Sequence, residues 1–217
     1  MSLRVEVVPV TPFQQNCSVI WCDQKLEGAV IDPGGDLEKI TAVITQHDIQ
    51  IKQILLTHGH LDHAGGATDL SQQLNVKING PQKEDNFWLD AMEQHGQSYG
   101  FPGVKNCKPD TWLNDGESVK VGNETLQVFH CPGHTPGHII FYHETSRLAF
   151  VGDVLFKGSI GRTDFPKGDL QTLINSITQK LWPLGNEVRF VSGHGPISDF
   201  ASERQSNPFV SDSVLAR

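Results

Sequence analysis

Four side chains that commonly bind metal ions lie within six residues of one another, at His58, His60, Asp62 and His63. They follow the apolar run 51–56, which predicts a buried strand. Alternate residues of an extended segment point the same way, so the first two imidazoles can reach one cation. The next two residues come where the chain turns toward a helix, and they can face a second, adjacent cation. The segment therefore predicts a metal site at the end of a buried strand.

Three further candidate ligands each follow a predicted strand, and a glycine precedes each of them: His134, Asp153 and His194. Loops at one end of a rigid scaffold are where function usually lies, so these residues can converge on one rim. Imidazole and carboxylate groups suit zinc or iron, and the two oxygens of a carboxylate can span cations about 3.5–4 Å apart. Together the seven residues predict a metal centre rather than a group of surface histidines.

Short apolar, β-branched runs alternate with helical patterns along the chain. Strands are predicted at 3–10, 17–21, 28–32, 51–56, 76–78, 119–121, 125–130, 138–142, 148–151 and, as the last one, 187–191. Helices are predicted from an N-cap at Asp36 to about His47 and at 66–74, 83–97 and 170–181, the last stopped by Pro183, with a helical tail from Ile197. This order favours sheets covered by helices over a regular βαβ alternation.

Length and charge limit the possible partners. The 217 residues fit one domain, 1–217, and the net charge of −8 disfavours nucleic acid as a partner. No apolar run approaches the roughly 20 residues of a membrane span, and the N-terminus shows no secretion signal. The four cysteines have no CxxC spacing, which is typical of reduced thiols. We therefore expect a cytoplasmic protein that binds neither nucleic acid nor membrane.

The pattern HxHxDH, followed by a single histidine, an aspartate and a last histidine, resembles the metallo-β-lactamase superfamily. Other stretches resemble its type II glyoxalase group, the hydroxyacylglutathione hydrolases: IDPGG at 31–35, HCPGHTPGH at 130–138, GDVLF at 152–156, GSIGRTDFPKGD at 158–169 and NPF at 207–209. The resemblance is to the short bacterial form, which has no additional C-terminal helical domain. It implies an α/β fold, an αββα sandwich of two mixed β-sheets flanked by helices.

The resemblance also implies two divalent cations per chain. Three ligands hold each cation and a seventh bridges them: His58, His60 and His134 for one, Asp62, His63 and His194 for the other, and Asp153 between the two. Zinc is the expected metal, with iron or a zinc–iron pair as alternatives. The resemblance further implies that Asp32 orients a ligand histidine and that His138 is structural.

The reaction implied by the resemblance is hydrolysis of a glutathione thioester, typically S-lactoylglutathione, to D-lactate and glutathione. A water held between two cations loses a proton near neutral pH, and the hydroxide attacks the thioester carbonyl. Asp62 is expected to orient this hydroxide in addition to binding metal. The carboxylates of glutathione call for cations, and the resemblance points to Arg162, with Lys157 as a second candidate. We expect a monomer with this small molecule as its substrate.

Other functions fit the same pattern. Persulfide dioxygenases share it, including GRTDF at 161–165, and use a single iron held by two histidines and one aspartate. A broad hydrolase of other esters, thioesters, lactones or lactams is a further alternative, and a metal-binding module without turnover is another. Metal stoichiometry and oxygen uptake separate the dioxygenase from the thioester hydrolase, because only the dioxygenase consumes oxygen.

Overall fold

The first half of the chain forms a mixed five-stranded sheet. In the computed structural model, which describes residues 2–216, its elements are β1 (Leu3–Val10), β2 (Gln15–Cys22), β3 (Glu27–Ile31), α1 (Leu37–Gln46), β4 (Gln50–Leu55), α2 (Leu61–Ala64), α3 (Ala67–Leu74) and β5 (Lys77–Asn79). The strands pair in the order β1-β2-β3-β4-β5. The first two pairs are antiparallel and the last two are parallel.

The second half forms a mixed six-stranded sheet. Its elements are a 3-10 turn (Lys83–Asp85), α4 (Asn86–Asp90), α5 (Met92–Tyr99), β6 (Ser118–Val121), β7 (Glu124–His130), β8 (Ile139–His143), β9 (Leu148–Gly152), β10 (Leu155–Phe156), β11 (Ser159–Ile160), α6 (Leu170–Ser176), β12 (Arg189–Ser192), β13 (Ser198–Asp199), α7 (Phe200–Ser206) and α8 (Asp212–Leu215). The strand order is β13-β12-β9-β8-β7-β6, and only β9 and β12 pair in parallel. Strands β10 and β11 form a separate hairpin.

Each sheet is buried on both faces. Along β2, Val19 packs in a core shared with α1 and α3, while Ile20 belongs to a core between the two sheets. Along β8, Phe141 enters the same central core, and Ile140 packs with residues of α6 and α7. This follows from the alternation of side chains along a strand. The layers are helix, sheet, sheet and helix, which confirms the predicted αββα sandwich.

The segment 83–97 differs from the single helix predicted for it. It consists of the 3-10 turn, α4 and α5, and the helical backbone is interrupted at Ala91 (φ −99°, ψ 8°). This break lets Trp88 and Leu89 pack inward from α4 while α5 buries Met92 and Gly96. The apolar spacing alone does not reveal the interruption at Ala91, because each piece keeps a helical pattern.

Two helix ends also differ from the predictions. The helix that begins at Leu170 runs through a π turn (Ile177–Leu181) to the predicted end at Leu181, but Pro183 does not stop the helical path, because it lies in a 3-10 turn (Trp182–Leu184) that follows directly. Proline is tolerated there because it lies in the first turn of the 3-10 segment. Asp36 does precede α1, but its carboxylate accepts hydrogen bonds from the Thr11 backbone and from Lys39 instead of capping the helix.

The prediction that 187–191 is the last strand is wrong, because β13 follows it and pairs with β12. Strands of two residues are too short to show alternation in the sequence. Across residues 2–216, no helix combines the length and the apolar character that crossing a bilayer requires. All four cysteines are buried free thiols.

Candidate metal centre

All seven predicted ligands lie just beyond the carboxyl ends of four strands: His58, His60, Asp62 and His63 follow β4, His134 follows β7, Asp153 follows β9 and His194 follows β12. Strands β9 and β12 are parallel neighbours. Strand β7 runs in the same direction, because it is antiparallel to β8 and β8 is antiparallel to β9. Their carboxyl ends therefore share one edge of the second sheet, and the loop after β4 reaches the same edge.

The glycines before Asp153 and His194 are needed because the backbone passes close to the ligands. Gly152 has a φ of +49°, and a Cβ there would lie 2.6 Å from Oγ1 of Thr57. A Cβ at Gly193 would lie 2.1 Å from Oδ1 of Asp153. The glycine-before-ligand pattern seen in the sequence thus reflects space at this edge of the fold.

Three imidazoles converge in a group that we call the three-histidine set: His58, His60 and His134. Nδ1 of His60 lies 3.1 Å from Nε2 of His58 and 3.0 Å from Nε2 of His134. Nδ1 of His134 donates to the carbonyl oxygen of Arg162 at 2.7 Å, and Nδ1 of His58 lies 3.0 Å from the Thr57 hydroxyl. These contacts leave both Nε2 lone pairs directed at the centre of the group.

A second group, the mixed set, consists of Asp62, His63 and His194. Oδ2 of Asp62 lies 3.0 Å from Nε2 of His194 and 3.8 Å from Nε2 of His63. Nδ1 of His63 donates to Oδ2 of Asp32 at 2.9 Å, and Nδ1 of His194 donates to the carbonyl oxygen of Phe13 at 3.2 Å. Both Nε2 atoms therefore face the Asp62 carboxylate.

Asp153 lies between the two sets. Its Oδ2 is 3.6 Å from Nε2 of His134 and 3.8 Å from Nε2 of His194. Its Oδ1 is 3.3 Å from Nε2 of His63, without the alignment of a hydrogen bond. One carboxylate thus faces nitrogens of both sets, which is the arrangement that a ligand shared by two cations requires. Nε2 of His138 accepts a hydrogen bond from the Asp153 backbone N–H at 3.1 Å, so this ring supports the loop.

The two sets differ in their electrostatics. Burial lowers the pKa of every ring in the three-histidine set, that of His60 to about 3, so these imidazoles are neutral. Burial acts in the same direction on both histidines of the mixed set, but Asp62 and Asp153 outweigh it and raise their pKa values. Burial also opposes ionisation of these two carboxylates, yet the adjacent histidines hold the pKa of both below the ordinary value.

Asp32 connects the two sets from behind. Its carboxylate accepts hydrogen bonds from the backbone N–H of Thr57 at 2.7 Å and from the Thr57 hydroxyl at 2.6 Å, besides the bond from His63. It is buried, with 2% of its surface exposed. One carboxylate therefore orients His63 directly and His58 through the Thr57 hydroxyl. Such partners fix the ring and the tautomer of a metal-binding histidine.

The donor atoms fit a divalent cation. Nε2 of His63 and Oδ1 of Asp153 are buried and have no hydrogen-bond partner among residues 2–216. A buried polar atom without a partner destabilises a protein by about 1–3 kcal/mol. A cation within reach of both atoms would remove this penalty, and imidazole with carboxylate is a donor combination that suits zinc and iron.

A cavity of about 890 Å³ opens over the two sets, and Lys157 and Arg162 both line it. The guanidinium of Arg162 is engaged, since it donates to both oxygens of Asp164 at 2.9 and 2.8 Å and lies 4.5 Å above the ring of Phe165. Lys157 forms no ion pair within the described part of the chain. The lysine is thus the less constrained of the two cations.

Four aromatic residues that were not identified from the sequence line the cavity, and we call them the aromatic wall: Phe13, Trp88, Tyr99 and Phe156. The Trp88 ring meets His60 edge-on, with centroids 4.5 Å apart. These residues come from four separate segments, and only Phe156 lies in a stretch that carries the resemblance, GDVLF at 152–156. His95, a histidine outside the sequence motifs, also lines the cavity. Only the three-dimensional arrangement reveals that they act together.

Comparison with known proteins identifies a family for this chain: residues 10–194 match the family model described as "Metallo-beta-lactamase superfamily". The chain belongs to this superfamily. It is 46% identical over 209 residues to hydroxyacylglutathione hydrolase GloC of Haemophilus influenzae, covering 96% of this chain and 98% of that protein. Its fold resembles BLEG-1 B3 metallo-beta-lactamase with a TM-score of 0.87, at 35% identity over 95% of this chain and 99% of that one. It also resembles TTHA1623, solved in a di-iron-bound form, with a TM-score of 0.85 at 32% identity over 95% and 100% of the two chains.

These similarities confirm the resemblance and the fold that the sequence predicted. Members of the superfamily bind divalent metals, and the chain is a metallo-hydrolase. The clusters of histidine and aspartate described above are its candidate metal-binding groups.

Proposed function

We propose that the chain hydrolyses glutathione thioesters, above all S-lactoylglutathione, to D-lactate and glutathione, as a single domain. The observation that carries the proposal is the similarity to a hydroxyacylglutathione hydrolase along nearly the whole of both chains. The ligand pattern supports it, because the donor atoms of two three-residue sets and of Asp153 lie at the base of one open cavity.

In this proposal the three-histidine set would hold one divalent cation and the mixed set a second, and Asp153 would serve as a ligand shared by the two. Zinc, iron or one of each would suit these donors. Metals bound there would supply Lewis acidity toward the thioester carbonyl and would lower the pKa of water. Asp32 keeps a proton on Nδ1 of His63, so that Nε2 stays turned toward the centre.

Asp62 has a second role in the proposed reaction. Its pKa lies below the ordinary value, so the carboxylate is ionised at neutral pH, and the residue lines the cavity. It can accept a hydrogen bond from the attacking water and aim the oxygen at the carbonyl carbon. The thiol product leaves as a thiolate, which needs little help from an acid.

Lys157 and Arg162 would bind the carboxylates of glutathione at the cavity wall. Lys157 can do so directly. Arg162 must share its guanidinium with Asp164.

The test is an assay of the metal-stripped protein reloaded with zinc or with iron(II). We expect S-lactoylglutathione to be cleaved without oxygen, with a kcat/KM of at least about 10⁴ M⁻¹ s⁻¹, the low end for a natural substrate. Oxygen uptake with glutathione persulfide is measured on the same preparation. Oxygen consumption by a protein with one iron per chain and no thioester cleavage would contradict the proposal in favour of the dioxygenase.

A second candidate function is hydrolysis of a lactam ring, which the fold similarity to a B3 metallo-beta-lactamase favours. The reloaded protein is assayed with a chromogenic cephalosporin beside S-lactoylglutathione. We expect the thioester to be the better substrate by kcat/KM. The reverse order would make the lactam reaction the principal activity.

A further inference from the structure

Asp85 is a buried carboxylate with no cation beside it. It is the last residue of the 3-10 turn, none of its surface is exposed, and it forms no ion pair with another part of residues 2–216. Burial raises its pKa to about 6. Placing a carboxylate in the interior is unfavourable unless hydrogen bonds compensate for the lost water. The partners of Asp85 should therefore indicate what the residue does.

Three donors surround this carboxylate, and all of them belong to ligand-bearing loops. Oδ2 accepts from the backbone N–H of Gly59 at 2.8 Å and from the hydroxyl of Thr135 at 2.7 Å. Oδ1 accepts from the backbone N–H of Gly137 at 2.6 Å. Gly59 separates His58 from His60, and Thr135 directly follows His134. One side chain thus joins the two loops that carry the three-histidine set.

The backbone around Asp85 packs tightly against the same loops. A Cβ at Gly59 would lie 3.1 Å from the Asp85 carbonyl oxygen, and a Cβ at Gly137 would lie 2.5 Å from the Asp85 nitrogen. The 3-10 turn therefore packs against both glycines, and the Asp85 carboxylate forms hydrogen bonds with both loops. Contacts of this kind leave little freedom to change the separation of His60 and His134.

We propose that Asp85 is a positioning residue that sets the spacing of the three-histidine set by hydrogen-bonding to both of its loops. The inference rests on the proposed metal centre. Its effect should be confined to one set, because the mixed set has other partners: Asp32 for His63 and the Phe13 carbonyl for His194. Asp85 contacts no substrate in this scheme and acts only through the ligands.

The test measures zinc binding to the full-length, metal-stripped protein by competition with a chromophoric chelator. Asp85→Asn keeps the shape but turns an amide N–H toward a backbone or hydroxyl donor. We expect one of the two zinc dissociation constants to rise about 10–100-fold, the usual effect of losing a partner behind a metal ligand. The other constant should be unchanged. Two unchanged constants, or two that weaken equally, would overturn the inference.

Ligand variants identify the affected set. In a His194→Ala background, which leaves the three-histidine set, Asp85→Asn should weaken the remaining zinc site by the same factor. In a His134→Ala background it should have no further effect. An equal loss in both backgrounds would mean that Asp85 supports the fold as a whole and would contradict the positioning role.

Glu124→Gln is the matched control. Glu124 is also a buried carboxylate, with 5% of its surface exposed, but its partner is His143 at 3.0 Å, outside the two ligand sets. We expect this variant to lower the melting temperature of the metal-free protein while leaving both zinc constants unchanged. A selective loss of one zinc site in Glu124→Gln would show that any buried carboxylate has the effect, which would refute a specific role of Asp85.

A milder variant covers the case in which Asp85→Asn does not fold. Thr135→Val removes one of the three donors and should weaken the same zinc site by a smaller factor, and unchanged zinc binding in this variant would then count against the inference. Zinc binding is measured without substrate, so the two proposals can fail separately. A protein that binds two zinc ions but does not cleave S-lactoylglutathione would refute the substrate and leave the Asp85 result intact.

Discussion

The three-histidine set and the mixed set share one edge of the sandwich, but they are organised in different ways. The first has no charged ligand, and its rings are held by neutral partners, the Arg162 carbonyl and the Thr57 hydroxyl. The second contains a carboxylate, and the side chain of His194 is 30% exposed. A cation entering the first set meets neutral imidazoles, whereas one entering the second must displace protons from rings whose pKa is raised. The same fold thus contains one set of buried, neutral ligands and one set whose protonation is controlled by carboxylates.

Asp153→Ala should have the largest effect, because the oxygens of this carboxylate face nitrogens of both sets. We expect metal content to fall in both sets and kcat/KM to drop by about 10³-fold or more, which corresponds to roughly 4 kcal/mol of lost metal assistance. Elemental analysis and the thioester assay measure the two quantities together. Asp199→Asn, at the half-buried N-cap of α7, is the control. Two bound metals and normal turnover in Asp153→Ala would show that the sets function independently.

The next largest effect is expected on the rates at which a chelator removes metal from the two sets. The mixed set includes the partly exposed His194, so we expect a chelator to remove one metal quickly and the other slowly. In His194→Ala the slow phase should remain, and in His134→Ala only the fast phase should remain. Each variant should weaken its own set by at least about 100-fold. Stopped-flow mixing with a chromophoric chelator measures the phases, and identical release curves for the two variants would remove the distinction between the sets.

Substitution of Asp32 tests whether one carboxylate orients ligands of both sets. Asp32→Asn loses the bond to His63 and one of the bonds to Thr57, so we expect both zinc constants to weaken by about 10–100-fold. Thr57→Val breaks only the path to His58 and should weaken the three-histidine set alone. Zinc competition measures both variants. If Asp32→Asn affects only one constant, the link through the Thr57 hydroxyl does not operate.

The ligands could be predicted because their signal is local. His58 and His60 stand two apart at the end of an apolar run, and Gly152 and Gly193 mark places where the backbone must pass close to a ligand. The apolar runs indicated sheets covered by helices, whereas the four αββα layers were implied by the resemblance to the superfamily. Such features depend on residues that are close together in the chain, so a single sequence is enough to recognise them.

Asp85 could not be predicted in this way. It lies in a segment whose spacing predicts one continuous helix, and its partners Gly59 and Gly137 are 26 and 52 residues away. The aromatic residues of the cavity wall were missed for the same reason, since Phe13 and Trp88 are far apart in the chain and come together only as lining of one cavity. The two-residue strands β10, β11 and β13 are fixed by pairing partners and have no periodicity of their own. The features that could not be predicted from the sequence are therefore those that depend on contacts between residues far apart in the chain.

The smallest effects are expected at the cavity wall, away from both sets. Arg162→Ala should raise the KM for S-lactoylglutathione more than it lowers kcat, by up to about fivefold, since an exposed ion pair contributes at most about 1 kcal/mol. Asp164→Asn should act in the opposite direction and lower KM, because it releases the guanidinium that Asp164 now binds through two hydrogen bonds. Lys157→Ala should raise KM at least as much as Arg162→Ala, because no carboxylate among residues 2–216 forms an ion pair with Lys157. Steady-state kinetics of the three variants give the comparison, with zinc content measured to show that both sets remain filled. If KM is unchanged in Arg162→Ala and in Lys157→Ala, neither cation binds glutathione, and the thiol half of the substrate must be recognised by the aromatic wall instead.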